Sequence, residues 1–492
     1  MKTVTALLDF DEAIRIFRME VQEALIIGEI RDWDGRELLR REIKITQAAL
    51  RLAGQCIGLL LYLLAINRDA SAQASQRTWH LRHIGSQGQG KRPVKIQTIG
   101  RVQVTLRIQY VVKRNSSVER KPGQRGAACG QGFYPFLKWL GIQERITHLV
   151  WINAAQQSIL HTSFEAAQES LRLSGIDIST RRQRRLTYSF GQIGLNIRQS
   201  HLEQLMQGKL ISRQMLAGQR VVISVDGGRT RIRKIKEDSF KKQTNRYGYE
   251  GEWKEPKLLT IYVVDKEGKK IRNSLPTNDG TFGDVEAFML LLEMHLVRLG
   301  VHRAKQVLLV ADGAKWIWER IPFLLQRLGC AKEHTLCLLD FYHASQRLFD
   351  FANWAFNDKK DVNAWAFPAK SALKRGQIAT LLSQMQALIA KTSYPKQKEG
   401  MSKAYQYFFN RSNELDYPRA IELKLPLGSG SIESLIRQVV NLRLKSSNKS
   451  WKADNAEIVL HARCQWAAGN WTNFRDSVLM ADLSSLADLS YC

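Results

Sequence analysis

Cysteine is scarce in this chain: six in 492 residues, at positions 56, 129, 330, 337, 464 and 492, with no regular spacing. That excludes a disulfide framework and fits a reducing, cytoplasmic compartment. Long hydrophobic runs are also lacking. The best, Cys56 to Ile66, has 11 residues, against about 20 for a membrane span, so no membrane partner is expected. Acids interrupt the N-terminal MKTVTALLDFDE before a signal core can form, so export is not expected. No solenoid-period repeat or low-complexity tract is visible. Negative charge is short as well. There are 46 Asp+Glu against 74 Lys+Arg, a formal net charge of +28. A compact body so charged repels itself unless its usual partner is a polyanion. Nucleic acid fits, because Lys and Arg contacts to phosphate release counterions.

What is present divides the chain into segments. Residues 1–90 read as a helical region. Ala13, Phe17, Val21 and Ala24 recur at helical spacing, Trp33-Asp34-Gly35 breaks the pattern, and a second apolar helix runs from about Leu38 to Ile66. Such a hairpin is a structural or oligomerisation element. Residues 67–90 are polar and read as loop. Within 91–140, VKIQTIGRVQVTLRIQYVV alternates about Gly100, which predicts a β-hairpin with one wet, basic face. A basic, glycine-rich loop follows over 113–132. Residues 141–215 are helical again. A helix Ser163–Ser174 ends at Gly175, and Ser179 caps a helix beginning TRRQRR. This is a helix-turn-helix outline for DNA binding, with Arg181, Arg182, Arg184 and Arg185 as candidate contacts.

Over 216–475 the pattern becomes α/β, leaving 476–492 as a tail. QRVVISVDGG is a buried strand; KLLTIYVVDKEG and KKIRNSLP form a hairpin around Lys266-Glu267-Gly268. A helix Asp284–Leu299 stops at Gly300. AKQVLLVADGA is another strand, a helix begins near Lys315, and HTLCLLDFYH holds a last short strand. The order is β-β-β-α-β-α-β, then a helical insertion over 345–420 and a helix from about Ser431, which caps it.

Two of these strands end alike, placing Asp226 and Asp312 before glycine. A carboxylate at the end of an apolar strand is costly to bury alone, and a second one beside it is costlier, unless a cation sits between them. Glu433, in the first turn of the helix after Gly428-Ser429-Gly430, is the third acid; Glu457 is its rival. Oxygen-only ligation favours magnesium or manganese. Two such ions held by Asp226, Asp312 and Glu433 perform phosphoryl transfer without a protein nucleophile. Cys330, His334, Cys337 and His343 raise zinc as a weaker alternative, with irregular spacing.

The strings SVDGG, VADGAKWIWE, LDFYHASQ and GSGSIES, then NLRLK…W, resemble those of bacterial insertion-sequence transposases of the ISKra type, related to Mutator-like enzymes. The resemblance covers roughly 90–475. It implies an α/β fold: a ribonuclease-H-like mixed-sheet catalytic core with a helical insertion, preceded by a mainly helical N-terminal region containing a β-hairpin. It places the DDE acids on Asp226, Asp312 and Glu433, and a C/DxxH motif on Asp340 and His343. His343 is then a catalytic candidate that contacts the scissile phosphate or orders the site; Asp340 is a fourth carboxylate or a structural acid. The implied activity is DNA strand cleavage and strand transfer, with binding of terminal inverted repeats and target DNA by an oligomer in the bacterial nucleoid. A domesticated, non-catalytic DNA-binding protein and a structure-specific nuclease are the alternatives. Further DNA-contact candidates are Arg229, Arg231 and Arg233, which follow the first acid with Lys234, Lys236, Lys241 and Lys242, and Arg437, Arg443, Lys445 and Lys449 near the third. Ser447-Asn448-Lys449 stand where the resemblance implies a glycine.

Overall fold

Asp9 and Asp34 each accept two backbone N–H groups at the start of a helix, and these caps set the N-terminal hairpin: α1 (Phe10–Leu25) and α2 (Gly35–Ile66). The computed structural model describes residues 4–5, 9–82, 87–114, 129–241, 246–445 and 449–481. Most of the basic loop over 113–132, Lys242, Ser447 with Asn448, and the tail beyond 481 lie outside them. The chain divides into two compact units, residues 1–193 with 475–492, and residues 194–474.

In the first unit, the helix α2 corrects one expectation. Its apolar character extends past Cys56 towards Ala48, giving a window of mean hydropathy 1.9 that is long enough to cross a membrane. The inner side of α2 packs on a hairpin, however. Leu61 and Ala65 share a core with Val94, Ile96, Val102, Val104 and Leu106. The segment read as loop contains a helix, α3 (Arg68–Arg77), because Asn67 caps it through the Ala70 N–H and Ala70 and Ala74 give it a small buried face. The hairpin is β1 (Gln87–Gln97) and β2 (Val102–Arg114), antiparallel about Gly100, whose φ is +64°. Along β2, Val102, Val104, Leu106 and Ile108 are buried, while Thr105, Arg107 and Gln109 are exposed. Helices α4 (His148–Leu160), α5 (Phe164–Leu173) and α6 (Thr180–Met206) follow, the last two joined through Gly175 at φ +70°.

The second unit is built on five strands: β3 (Arg220–Gly227), β6 (Lys257–Val264), β7 (Thr277–Thr281), β8 (Gln306–Ala311) and β9 (Thr335–Leu339). Between β3 and β6 rises a separate two-stranded ribbon, β4 (Thr230–Lys241) and β5 (Arg246–Lys254). The five strands lie in the order β9-β8-β3-β6-β7. β8 and β9 run parallel to β3, and β6 runs antiparallel to both its neighbours. Numbered within the core, the order is 5-4-1-2-3 with only the second strand reversed, a ribonuclease-H-like mixed sheet. Helix α7 (Val285–Leu299), capped by Asp284 and stopped by Gly300 at φ +77°, leads into β8, and α8 (Lys315–Arg327) into β9. Strands β3 and β8 are buried on both faces, as their unbroken apolar runs require.

The insertion is helical: α9 (Phe341–Ala355), α10 (Lys359–Lys374), α11 (Ile378–Lys391), α12 (Pro395–Phe409) and α13 (Tyr417–Glu422). Helix α14 (Gly430–Ile436) runs on into a π-helix over Arg437–Leu444, and α15 (Ala453–Ala467) follows. Two strand expectations are corrected. The third core strand is TNDGT, not KKIRNSLP. Its propensity for strand is low, but Asp279 is held there by buried charges, and tertiary contacts override propensity. The ribbon β4–β5 went unread because its charges masked the alternation.

Candidate active site

The register of the parallel strands brings the acids together. Leu309 of β8 pairs with Ile223 of β3, and the same offset sets Asp312 level with Asp226. Ala311 pairs with Leu339 of β9, which sets Asp340 level with Asp312. Neighbouring strands lie about 4.8 Å apart, so three aspartates stand in a row at the carboxyl ends of three adjacent strands. That edge is where open α/β sheets bind ligands.

The three differ in what surrounds them. Asp226 is half-buried, and its Oδ1 accepts the Gly227 N–H at 2.6 Å. Burial, and then the charge of Asp312, push its carboxyl up to about 6; Glu433 adds to this and His343 opposes it. Asp226 therefore feels all three other candidates. Asp312 accepts the Ala314 N–H at 3.0 Å, and its own carbonyl accepts Trp318 Nε1 at 2.7 Å, which fixes the strand-to-helix turn.

Asp340 is fully buried and saturated. One oxygen accepts the Tyr342 and His343 N–H groups at 2.6 and 2.9 Å, capping α9. The other accepts the backbone N–H and the hydroxyl of Ser429. The Phe341 N–H donates to Leu427 O at 2.9 Å. Residues 427–429 are thus tied to the end of β9, and Glu433 leaves that anchored segment within one helical turn. Ser429, not Ser431, is the cap residue of α14, and its hydroxyl is turned to Asp340. Gly428 is required by space, since a Cβ there would lie 2.6 Å from the Tyr342 ring.

Glu433 and His343 are both about half exposed, with Glu433 Oε1 3.3 Å from His343 Nε2. Asp340, His343 and Glu433 each present a ligand atom within 4.8 Å of the others. With four donors on its two oxygens, Asp340 has no lone pair to spare, so its part in that trio is structural. The second side of the site is set by the π-helix. A Cβ on Gly228 would lie 2.9 Å from Val440, so the second glycine after the first acid is what lets this helix approach β3. π-Helical turns occur often at functional sites. The insertion supplies a third side: Arg411 Nη2 donates to Gly313 O at 3.1 Å, and the Arg347 guanidinium lies 5.5 Å from the Tyr407 ring, which packs on Gly313.

The rival acid is accounted for elsewhere. Glu457 pairs with Arg198 at 2.5 Å and accepts the Phe282 N–H at 2.8 Å. The zinc alternative is not assembled: among the described residues His343 groups with Asp340 and Glu433, and not with Cys330, His334 and Cys337.

The basic candidates divide. Arg181 is exposed; Arg184 pairs with Glu165 and Arg185 with Glu144 on the surface of the first unit. Arg182 is half-buried and donates to Gln97 Oε1 and Glu144 O, so it is a strut. Arg443 is 1% exposed, with its guanidinium 4.9 Å from the Trp451 ring. It belongs to the core, contrary to its expected place on DNA. Arg437 and Lys445 are exposed, Arg437 one turn beyond Glu433. Arg229, Arg231 and Arg233 are exposed on the ribbon that rises from β3. The Asp340–Ser429 tie was not read from the sequence, although DFYH before a helix carries the signal of a capping aspartate.

No family model matches the sequence, and no curated protein matches it. Among solved structures, the Drosophila P element transposase strand transfer complex is similar over 70% of this chain and 86% of that chain, at 12% identity and a TM-score of 0.24.

Proposed function

We propose that the protein is a DDE transposase of the ISKra type, which cuts and joins the DNA strands of an insertion sequence using two divalent ions. The observation that carries this reading is the placing of Asp226 and Asp312 at the ends of adjacent strands, where burial and then Asp312 raise the Asp226 carboxyl, Glu433 adds to this, and the Gly227 N–H and His343 offset it only in part. An all-carboxylate donor set fits magnesium or manganese. Asp226, Asp312 and Glu433 would hold the ions, which supply activation of the attacking oxygen and stabilisation of the leaving oxygen.

The chain's own residues do the rest. Asp340 and Ser429 fix the segment from which Glu433 projects, and His343 orients the Glu433 carboxylate from 3.3 Å. The half-exposed Glu433 keeps the site open to a phosphodiester strand. The surrounding positive charge draws that strand in, through Arg437, one turn beyond the third acid, and Lys445 at the end of the π-helix. The terminal inverted repeats of the element and a target duplex are the proposed partners, bound by a homo-oligomer in the bacterial cytoplasm.

Labelled linear ends from the chain's own flanking DNA, offered with a supercoiled target plasmid and magnesium, test the reading. Joined product is expected, and Asp312→Asn is expected to bind the ends without cutting them. Cutting of branched substrates without joining would instead identify a structure-specific nuclease. Binding with no chemistry, unaltered by Asp312→Asn, would identify a non-catalytic DNA-binding protein.

A further inference from the structure

The β4–β5 ribbon sorts its charges by face. Arg231 stands opposite Trp253, Arg233 opposite Gly251 and Ile235 opposite Tyr249, and side chains alternate between the two faces of a strand. One face therefore carries Arg231, Arg233, Trp253 and Tyr249. The other carries Lys234 opposite Glu250 and Ile232 opposite Glu252, with Lys236 paired to Glu250 at 3.5 Å. Over these residues the acids all lie on the lysine face, and the arginine face has none.

The arginines are also held in place. The guanidiniums of Arg229 and Arg231 lie 5.1 and 4.9 Å from the Trp253 ring centre, and that of Arg233 lies 4.3 Å from the Tyr249 ring. Both rings are large and exposed, Trp253 by 43% and Tyr249 by 50%. The base of the ribbon is fixed too. The Arg233 N–H donates to Trp451 O at 2.7 Å, the Trp451 N–H to Arg231 O at 3.1 Å, and Arg233 Nε to Ser450 O at 2.8 Å. Exposed aromatic rings that hold cations, on a stretch of face from Arg231 to Ile235 that carries no acid, have the character of a docking surface for a polyanion.

We propose that this face is the track for the sugar-phosphate backbone of one DNA strand, and that Arg229, Arg231 and Arg233 take successive phosphates on the way to the carboxylate row. The inference rests on the reading above that the site acts on DNA. Arg231 and Arg233 recur every second residue, about 7 Å apart, a step close to that between consecutive phosphates. Arg229 lies three residues after Asp226, so a strand laid on the track arrives at the acids. The rings position the guanidiniums before binding, which lowers the ordering cost of each contact; they do not serve as platforms for bases.

The test is duplex and single-strand binding as a function of salt. In Arg229→Gln/Arg231→Gln/Arg233→Gln the slope of log affinity against log salt is expected to fall by about two to three. In Lys234→Gln/Lys236→Gln it is expected to fall by less than one. The triple Arg→Lys variant keeps the charge but cannot stack a planar group on the rings. It is expected to keep the slope and bind about tenfold more weakly. Equal slope losses for the two faces, or wild-type affinity in the triple Arg→Lys variant, would overturn the track. Manganese binding by the same variants separates the two claims. If the arginine variants bind manganese and the wild type cuts DNA while the slope is unmoved, the track alone fails. If the wild type binds neither DNA nor manganese, the underlying reading fails with it.

Discussion

Two acidic clusters lie in the second unit, two strands apart in the same sheet, and the chain treats them in opposite ways. Asp279, on β7, is fully buried. It is 2.9 Å from both His295 Nε2 and His461 Nδ1, and 3.3 Å from Arg198 Nη1, which also reaches Glu457. Burial alone would raise its carboxyl, but His461 and Arg198 outweigh it and hold it well below the usual range. Asp226, on β3, is buried less yet raised, first by that burial and then by Asp312, with Glu433 adding to it and His343 offsetting it only in part. A structural carboxylate is given its cations by the fold. Under the proposed function, one left facing other carboxylates takes its cation from outside, and that contrast would separate a strut from a site.

The sharpest way to break this comparison is to remove each acid. Asp279→Ala takes the buried partner from His295 and His461 and leaves Arg198 with Glu457 and the Gly280 carbonyl, and is expected to cost about 3–5 kcal/mol in denaturant unfolding. Because the Asp279 carboxyl is depressed, its contribution is full above the unfolded carboxylate value and fades as pH falls below it towards the folded one. Next in size is the response to a divalent ion. At about 100 times its Kd, magnesium or manganese should add about 3 kcal/mol to the wild type at pH 7.5, read as a rise in Tm. That gain should fade below about pH 6, as Asp226 takes up its proton.

Asp226→Asn is expected to act with the opposite sign to Asp279→Ala. The raised carboxyl costs stability above about pH 6 in the ion-free protein, so the amide should gain on the order of 2 kcal/mol at neutral pH and abolish the response to the ion. A loss of stability in this variant would place Asp226 among the struts. The smallest effect belongs to Ser429→Ala. Losing one hydroxyl bond to the buried Asp340 should cost about 1 kcal/mol and lower strand cleavage about 10- to 100-fold, with DNA binding unaltered.

The contrast also explains what could be read from residues alone. Buried strands ending in Asp-Gly were legible at β3 and β8, because an apolar run, an acid and a glycine are adjacent in sequence. The place of Glu433 in the first turn of α14 was legible through the glycines before it; its role as third ligand belongs to the proposal. The Asp279 network was not, since its members come from residues 198, 279, 295, 457 and 461, and TNDGT looks like a turn until its partners arrive. The ribbon escaped for a different reason. Arg231 and Arg233 flank Ile232, but Lys234 follows where a second apolar residue would continue the period and Ile235 falls on the other face, which erases the polar-apolar signal on which strand reading depends. Asp340 stayed undecided because its role is fixed by Ser429, 89 residues further on.

Manganese binding at pH 7.5, followed by electron paramagnetic resonance or calorimetry, tests the central claim most directly. The wild type is expected to bind, and Asp226→Asn, Asp312→Asn and Glu433→Gln are each expected to lose that binding while remaining folded. Unchanged binding in Glu433→Gln, or in both aspartate variants, would show that the three carboxylates do not share an ion.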